Sequence, residues 1–387
     1  MKTYSSIFGQ ILQIFPKTEF YQAVKETGAE KNTKGFSSWG QFVAMLFCQM
    51  GKAQSLREIC GGLASSLGKL IHLGITEAPA RSTLAYANEH RPWQLYEKIF
   101  YKLLGRIQTV APGHGFRFKA KLYSMDATLM EVCASIYGWA KYVQTKGAVK
   151  LHMLLDHDGY LPVFARITEG CVHEVNILRT LTLPKGSVVV MDRGYVDYEL
   201  FFKWTMVDEI YFVMRLKINA AYKVIEKLTV PGSGNVVRDE IIMFSGYSSL
   251  NKCPIPLRRV EVVDDEGEII VLITNHMEFA ASTISKIYKD RWQIETFFKT
   301  IKQNLHIKTF VGTSANAVMT QIWTALIAIL VLKYLKFRST FGWSMSNLVA
   351  MLRYNLIVYR DLWEWLNNPY QELKEPMIWK QLDLGIV

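Results

Sequence analysis

The chain has 387 residues, half of them hydrophobic, enough to bury a large core in a globular protein of two or three structural units. With 45 Lys and Arg against 34 Asp and Glu, the formal charge is +11 and the pI about 9.2, an excess that favours a polyanionic partner, either nucleic acid or an acidic membrane surface. Cys48, Cys60, Cys133, Cys171 and Cys253 are odd in number, scattered and without a C-x-x-C pair, so neither a disulfide framework nor a zinc site is indicated and a reducing cytoplasm fits.

The first residues lead into no long apolar stretch with a small-residue cleavage site, so no signal peptide is expected. Residues 1 to about 110 read as helical. Apolar side chains recur at helical spacing through Trp39, Phe42, Val43 and Leu46, through Leu56, Ile59 and Leu63, and through Leu95, Ile99, Leu103 and Leu104. Ser82-Thr83, after Pro79 and Arg81, reads as a capped helix start with a cation at its N-terminus, suited to a phosphate backbone; a solvated turn accounts for it equally well.

Near Ala111-Pro-Gly-His-Gly115 the period changes from 3.6 to 2, marking a domain boundary. Alternation through Phe116, Phe118, Ala120, Leu122, Ser124 and Asp126 predicts a strand that ends in a carboxylate. After a short strand-like run, Val149 to Asp156 and Leu161 to Ile167 form a hairpin around Asp156-His-Asp-Gly159, and His173 to Leu183 a short helix. Ser187 to Met191 is an apolar strand buried on both faces that runs into Asp192-Arg-Gly. Asp197 to Val207 reads as helix and Glu209 to Leu216 as a further strand. From there to about Asn275 turn signals, among them Pro231-Gly-Ser-Gly234 and Asp264-Asp-Glu-Gly267, space out an antiparallel β-rich insert. Helices follow, including Ala317 to Leu335 and Ser344 to Arg353. The membrane-like part, Ile322 to Leu332, has 11 residues where a span needs roughly 20, so a buried core helix and no membrane partner are expected.

One stretch in this last third organises the rest. At about 100° per residue, Tyr288, Arg291, Glu295 and Lys302 fall on one stripe of a helix, beside an apolar face of Ile287, Ile294, Phe298, Ile301 and Leu305. Alone, the stripe is also what an amphipathic surface helix with an Arg–Glu pair would show. Asp126 and Asp192, each at the end of a predicted strand, change its meaning. Carboxylates beside a core are costly to ionise unless paired or bound to metal, and three grouped together repel. A divalent cation resolves that repulsion, and an all-oxygen site selects Mg²⁺ or Mn²⁺, which hold phosphate and activate water or a 3′-hydroxyl.

Tyr288-x2-Arg291-x3-Glu295-x6-Lys302 resembles the Y-R-E-K signature of DDE transposases of the insertion-sequence-4 family. Met191-Asp192-Arg193-Gly194-Tyr195 and Ser124-Met-Asp126-Ala-Thr128 resemble the blocks around that family's two aspartates. Thr145-Lys-Gly-Ala-Val-Lys150-Leu-His152, Gly170-x2-His173-Glu174, Phe212-Val-Met-Arg215, Gly312-Thr-Ser-Ala-Asn-Ala-Val318 and Gln321-Ile-Trp323 extend the similarity. Phe36-Ser-x-Trp39, Ser55-Leu-Arg57-Glu58 and Arg81-Ser-Thr-Leu84 extend it into the N-terminal helices. Ala127, Glu174 and Tyr86 depart from the residues common in relatives.

The resemblance implies an α/β, ribonuclease-H-like catalytic core with a β-rich insertion, preceded by an N-terminal helical domain. The divisions are residues 1–110 for DNA binding, 111–215 with 276–340 for the core, 216–275 for the insertion and 341–387 for a C-terminal helical region. It implies Asp126, Asp192 and Glu295 as catalytic metal ligands for two Mg²⁺ ions, with Mn²⁺ able to substitute. Tyr288, Arg291, Lys302, Arg215 and Arg193 are expected on DNA. Its partners would be double-stranded DNA, the terminal inverted repeats of its own element and target DNA, bound by a homodimer. A non-catalytic DNA-binding derivative and a stand-alone nuclease of the same fold are the alternatives. His152, His173, Trp363 and Trp365 read more readily as packing residues than as site residues.

Overall fold

Ten strands form one mixed sheet, and the order of pairing brings the strand ends that matter to one edge. The computed structural model describes residues 5–31, 33, 35–66, 69–132, 139, 141–143, 146–230, 234–305 and 310–371. Cys133, Thr145 and most of the Pro231–Gly234 turn lie outside them.

The described helices of the first 110 residues are α1 (Ile7–Leu12), α2 (Lys17–Thr27), α3 (Ser38–Gly51), α4 (Leu56–Ala64), α5 (Arg81–His90) and α6 (Gln94–Gln108). Ser37 and Ser55 cap α3 and α4 by accepting from backbone N–H groups three residues on. The expected Ser82–Thr83 cap is not used. The α5 helix starts earlier, at Arg81, with Ala80 at the cap and no side-chain bond, which leaves Arg81, Ser82 and Thr83 exposed on its first turn.

The sheet begins with β1 (Leu122–Val132), β2 (Lys141–Val143), β3 (Lys146–Asp156) and β4 (Leu161–Glu169). After α7 (Glu174–Leu178) come β5 (Val188–Met191), α8 (Tyr198–Lys203) and β6 (Tyr211–Arg215). Then follow β7 (Tyr222–Lys227), β8 (Val236–Phe244), α9 (Tyr247–Lys252), β9 (Leu257–Val263) and β10 (Ile269–Thr274). The first antiparallel unit is β1 against β3 and β3 against β4, while β5 joins β1 and β6 joins β5 in parallel. Three antiparallel strands continued by two parallel ones make the ribonuclease-H-like core. The β-rich segment extends that same sheet, because β10 pairs antiparallel with β6 and leads to β9, β8 and β7. Buried paired charges hold the extension: Arg258 grips Asp239 bidentately at 2.8 and 2.6 Å, and Arg259 donates to Glu240 at 2.7 Å.

Two expectations shift here. Phe116 and Phe118 precede β1 and stack on one another, with Phe118 also on Phe279, so their alternation belongs to an aromatic cluster. Asp126 is not the end of β1. The strand runs six residues further, against β3.

The chain closes with α10 (Ala281–Asp290), α11 (Trp292–Asn304), α12 (Ala315–Arg338), α13 (Met345–Asn355) and α14 (Leu362–Asn367). At 24 residues, α12 is long and apolar enough to cross a membrane, yet 83% of its most apolar stretch is buried inside the protein. It packs on α3, α5, α6 and α13, and the N-terminal helices therefore share one core with the C-terminal ones. An all-round apolar helix wrapped by other helices is a core element. Trp365 is buried and Trp363 packs near Tyr334, so both tryptophans serve that packing.

Candidate active site

Strand register places the two aspartates. The β1–β5 pairing sets Leu122 beside Val188, Tyr123 beside Val189 and Ser124 beside Val190, and the same offset carried two residues on sets Asp126 beside Asp192. Both therefore stand where the parallel pairing stops, Asp192 just past the carboxyl end of β5 and Asp126 while β1 continues along β3, beside the usual crevice for ligands in such sheets. The alternation of β5 serves this position: Val189 and Met191 pack on one side of the sheet and Val188 and Val190 on the other, so the strand is fixed up to the residue before Asp192. Beyond it the Asp192 side chain accepts from the Gly194 N–H at 2.5 Å and closes a turn of 3₁₀ helix over Arg193–Tyr195. Asp126 accepts from the Ala127 N–H at 2.8 Å.

Glu295 arrives on α11, whose Ile294, Phe297, Phe298 and Ile301 are buried and whose length lies along β1. The helical stripe is not one unbroken α-helix. Arg291 separates α10 from α11 while keeping helical angles, and bonds from Arg291 N to Tyr288 O and from Ile294 N to Arg291 O tighten one turn. Tyr288, Arg291, Glu295 and Lys302 still share a half-buried face.

Arg291 sits at the centre. Its guanidinium donates to Glu295 Oε1 at 2.6 Å, lies 3.8 Å from Asp126 Oδ2, and stacks 5.6 Å from the Tyr288 ring centre. Its Nε is buried without a partner among the described residues. Burial pushes the Asp126 carboxyl up to about 6; Asp192 and Glu295 push it the same way, while the Ala127 N–H and Arg291 oppose. The upward push of Asp192 and Glu295 on Asp126 identifies the three acids as electrostatic neighbours. They are not drawn into one coordination cluster in this conformation, and among the described residues no three acidic, His or Cys side chains form one. The donor set itself, three hard oxygen ligands that repel one another beside a core, fits a divalent cation of the Mg²⁺ or Mn²⁺ kind.

The other expected residues spread outward. Arg215 ends β6 and, by the β5–β6 register, stands next to Asp192. It lines a groove of about 1480 Å³ with Tyr288, Arg291 and Trp292, opposite Asp264, Asp265 and Glu266. Arg193 is exposed on the turn after Asp192. Lys302 donates to the Leu129 carbonyl of β1 at 2.9 Å and fastens the far end of α11. His152 is a buried core residue bonded to Thr168, and burial lowers it to about 4; His173 is exposed before α7.

Three features escaped the sequence reading. The Tyr195 hydroxyl is buried with no partner among the described residues, near enough to Asp126, Glu174 and Asp192 that all three add to what burial does to its proton. Lys150 donates to Glu174 and to the Val172 carbonyl, both at 2.9 Å, clamping the start of α7 on β3. Ser124 Oγ meets His157 Nε2 at 2.7 Å and His157 Nδ1 meets Asp290 Oδ2 at 2.6 Å. With Ser124 wholly buried, this is no hydrolytic triad. It ties α10, one residue before Arg291, to β1, two residues before Asp126. The one available signal for Tyr195, Lys150 and Ser124 was their place inside the recognised blocks, and nothing in the sequence linked Ser124 to His157 and Asp290.

The family described as a transposase DDE domain matches residues 117–331, and a domain of unknown function (DUF4372) matches residues 3–76. The chain is similar to "Putative transposase y4zB" of Sinorhizobium fredii, with 33% identity over 71% of this chain and 77% of the relative. It is 28% identical to "Probable transposase for insertion sequence element IS5377" of Geobacillus stearothermophilus over 66% and 67% of the two chains. With "Putative transposase for insertion sequence element IS4SA" of Synechocystis it shares 24% identity over 70% and 76%. A domain match over more than half of the chain, joined to the Y-R-E-K stripe and the paired aspartate strands, has one consequence: the chain belongs to the DDE transposases of the insertion-sequence-4 group.

Proposed function

We propose that this transposase cuts and rejoins DNA at the ends of its own insertion element, with Asp126, Asp192 and Glu295 as the catalytic carboxylates. Dependence on a divalent metal comes with the family; the further reading is that the three carboxylates hold two Mg²⁺ ions, with Mn²⁺ able to substitute. Such ions, when bound, supply charge neutralisation at a phosphate and activation of water or a 3′-hydroxyl for in-line attack. The observation that supports the proposal is the approach of Asp126 and Glu295 to the one Arg291 guanidinium, with Asp192 close enough to raise the Asp126 carboxyl.

The remaining roles belong to the chain's own side chains. Arg291, already balanced between two acids, is the group best placed to take a phosphate oxygen bidentately. Tyr288 and Arg215 line the groove beside Asp192 and would orient the strand that enters it, and exposed Arg193 would meet the backbone next to the cut. Lys302 holds α11 against β1 and so sets Glu295 relative to Asp126. Residues 1–110, a helical unit, would bind the terminal inverted repeats, and a homodimer would bring two ends together with target DNA in the cytoplasm.

The test is incubation of the full chain with DNA of its element's ends and Mg²⁺. Nicks, hairpins and joined products are expected, all abolished by EDTA. Nicks without joining would make it a stand-alone nuclease, and binding without cleavage a non-catalytic derivative; either result overturns the proposal.

A further inference from the structure

Past the far end of α11 from Glu295 lies a second opening, of about 260 Å³, walled by three separate parts of the chain. Lys52, the residue that ends α3, reaches it from a left-handed backbone position at φ 54°. Lys302, Gln303, Asn304 and Leu305 line it from α11, and Arg353 from the exposed side of α13. Among the described residues no carboxylate lines it. Lys52 Nζ rests 3.4 Å from the Gln303 carbonyl, a long contact that leaves its other two N–H donors for a further acceptor. Neither Lys52 nor Arg353 forms an ion pair among the described residues. Lys52 and Arg353 thus bring two cations to one small space, and their mutual repulsion is relieved when an anion enters between them.

We propose that this opening holds a backbone phosphate of the DNA strand that is cut at the carboxylates. The inference rests on the reading above. Seven residues of helix separate Glu295 from Lys302, about 10.5 Å at 1.5 Å per residue, so the held phosphate lies within a few nucleotides of the cleaved bond. Lys52 comes from the N-terminal helices, Lys302 from the catalytic core and Arg353 from the C-terminal helices, so one phosphate would join all three regions across their common core.

The experiment measures binding of the full chain to labelled end DNA by fluorescence anisotropy across a salt series. The pair Lys52→Gln and Arg353→Gln is expected to reduce the slope of log affinity against log salt by about one, the loss of one phosphate contact, with about a tenfold weaker affinity. Gln54→Lys, at the exposed lip, is expected to steepen the slope, which keeps the test open if the double variant fails to fold. A walk of methylphosphonate linkages along the cut strand is expected to find one position, within a few nucleotides of the cut, that weakens the wild type and not the double variant. An unchanged slope in both variants, or no such position, overturns the proposal. Binding of inorganic phosphate there with an unchanged DNA slope makes it a site for the free ion and overturns it as well. If the wild type itself does not prefer end DNA to unrelated DNA, the failure belongs to the proposed function and not to this pocket.

Discussion

Asp126→Asn separates what the site does for catalysis from what it does to the fold. In the metal-free protein burial and the neighbouring acids raise the Asp126 carboxyl from its ordinary 3.8 to about 6, so the folded chain holds its proton more tightly than the unfolded one. The sign follows: below 3.8 both states are protonated and the residue is neutral in its effect, stability falls as pH rises between 3.8 and 6, and the full penalty stands above 6. At about 1.4 kcal/mol per pH unit the penalty is at most about 3 kcal/mol. Unfolding 387 residues at about 2.1 cal/mol/K each carries about 0.8 kcal/mol/K, so the substitution is expected to raise the melting temperature by up to about 4 °C at pH 8 in EDTA. At pH 5 the gain should shrink to about half. Added Mn²⁺ should raise the melting temperature of the wild type and do much less for the variant, since binding to the native state stabilises it. Thermal melts at both pH values, with EDTA and with Mn²⁺, measure all of this. A variant less stable than the wild type at pH 8 without metal, or a gain that does not change with pH, refutes the reasoning.

The other predictions concern what holds the site in place. His157→Ala strands the buried Ser124 hydroxyl and leaves the Asp290 carboxylate with the Tyr160 hydroxyl alone, at a cost of about 1–3 kcal/mol, and should slow DNA cleavage by about 100-fold by letting α10 shift Arg291; melting curves and a cleavage time course check both. Arg258→Met alone leaves Asp239 buried and unpaired, at a cost of about 3–5 kcal/mol, whereas the double variant with Asp239→Leu should recover part of it in denaturant titrations, the Met277 and Phe279 carbonyls still lacking the guanidinium. Lys302→Ala releases α11 from the Leu129 carbonyl but removes no carboxylate, so cleavage should fall by about tenfold while each carboxylate variant loses far more, read in the same gel assay.

The elements that positioned the site were legible where a strong local period met a chemical marker. Four apolar residues before Asp192 predicted a doubly buried strand, and β5 is that strand; the Asp156–Gly159 turn predicted a hairpin, and β3 and β4 are its arms. Asp126 was expected at the end of its strand, and it is not there. It lies where parallel pairing with β5 stops, but β1 continues along β3, and a period of two does not reveal which neighbour a strand loses. The α12 helix exceeds the apolar run by more than a turn because Lys333 stays within the core, its ammonium donating to the Gly159 carbonyl at 2.9 Å. The link from Ser124 through His157 to Asp290 was invisible, since its members come from three elements and share no spacing. Arg291 looked like a phosphate clamp in the sequence; in the fold it first neutralises the acids beside it.

The most direct test of the account is cleavage of element-end DNA in Mg²⁺ by the wild type and by Asp126→Asn, Asp192→Asn and Glu295→Gln side by side, with DNA binding measured on the same samples. The account predicts that each substitution abolishes nicking and joining while affinity for the ends stays within a few-fold of wild type. Wild-type cleavage by any one of the three would remove that carboxylate from the site and contradict the central claim.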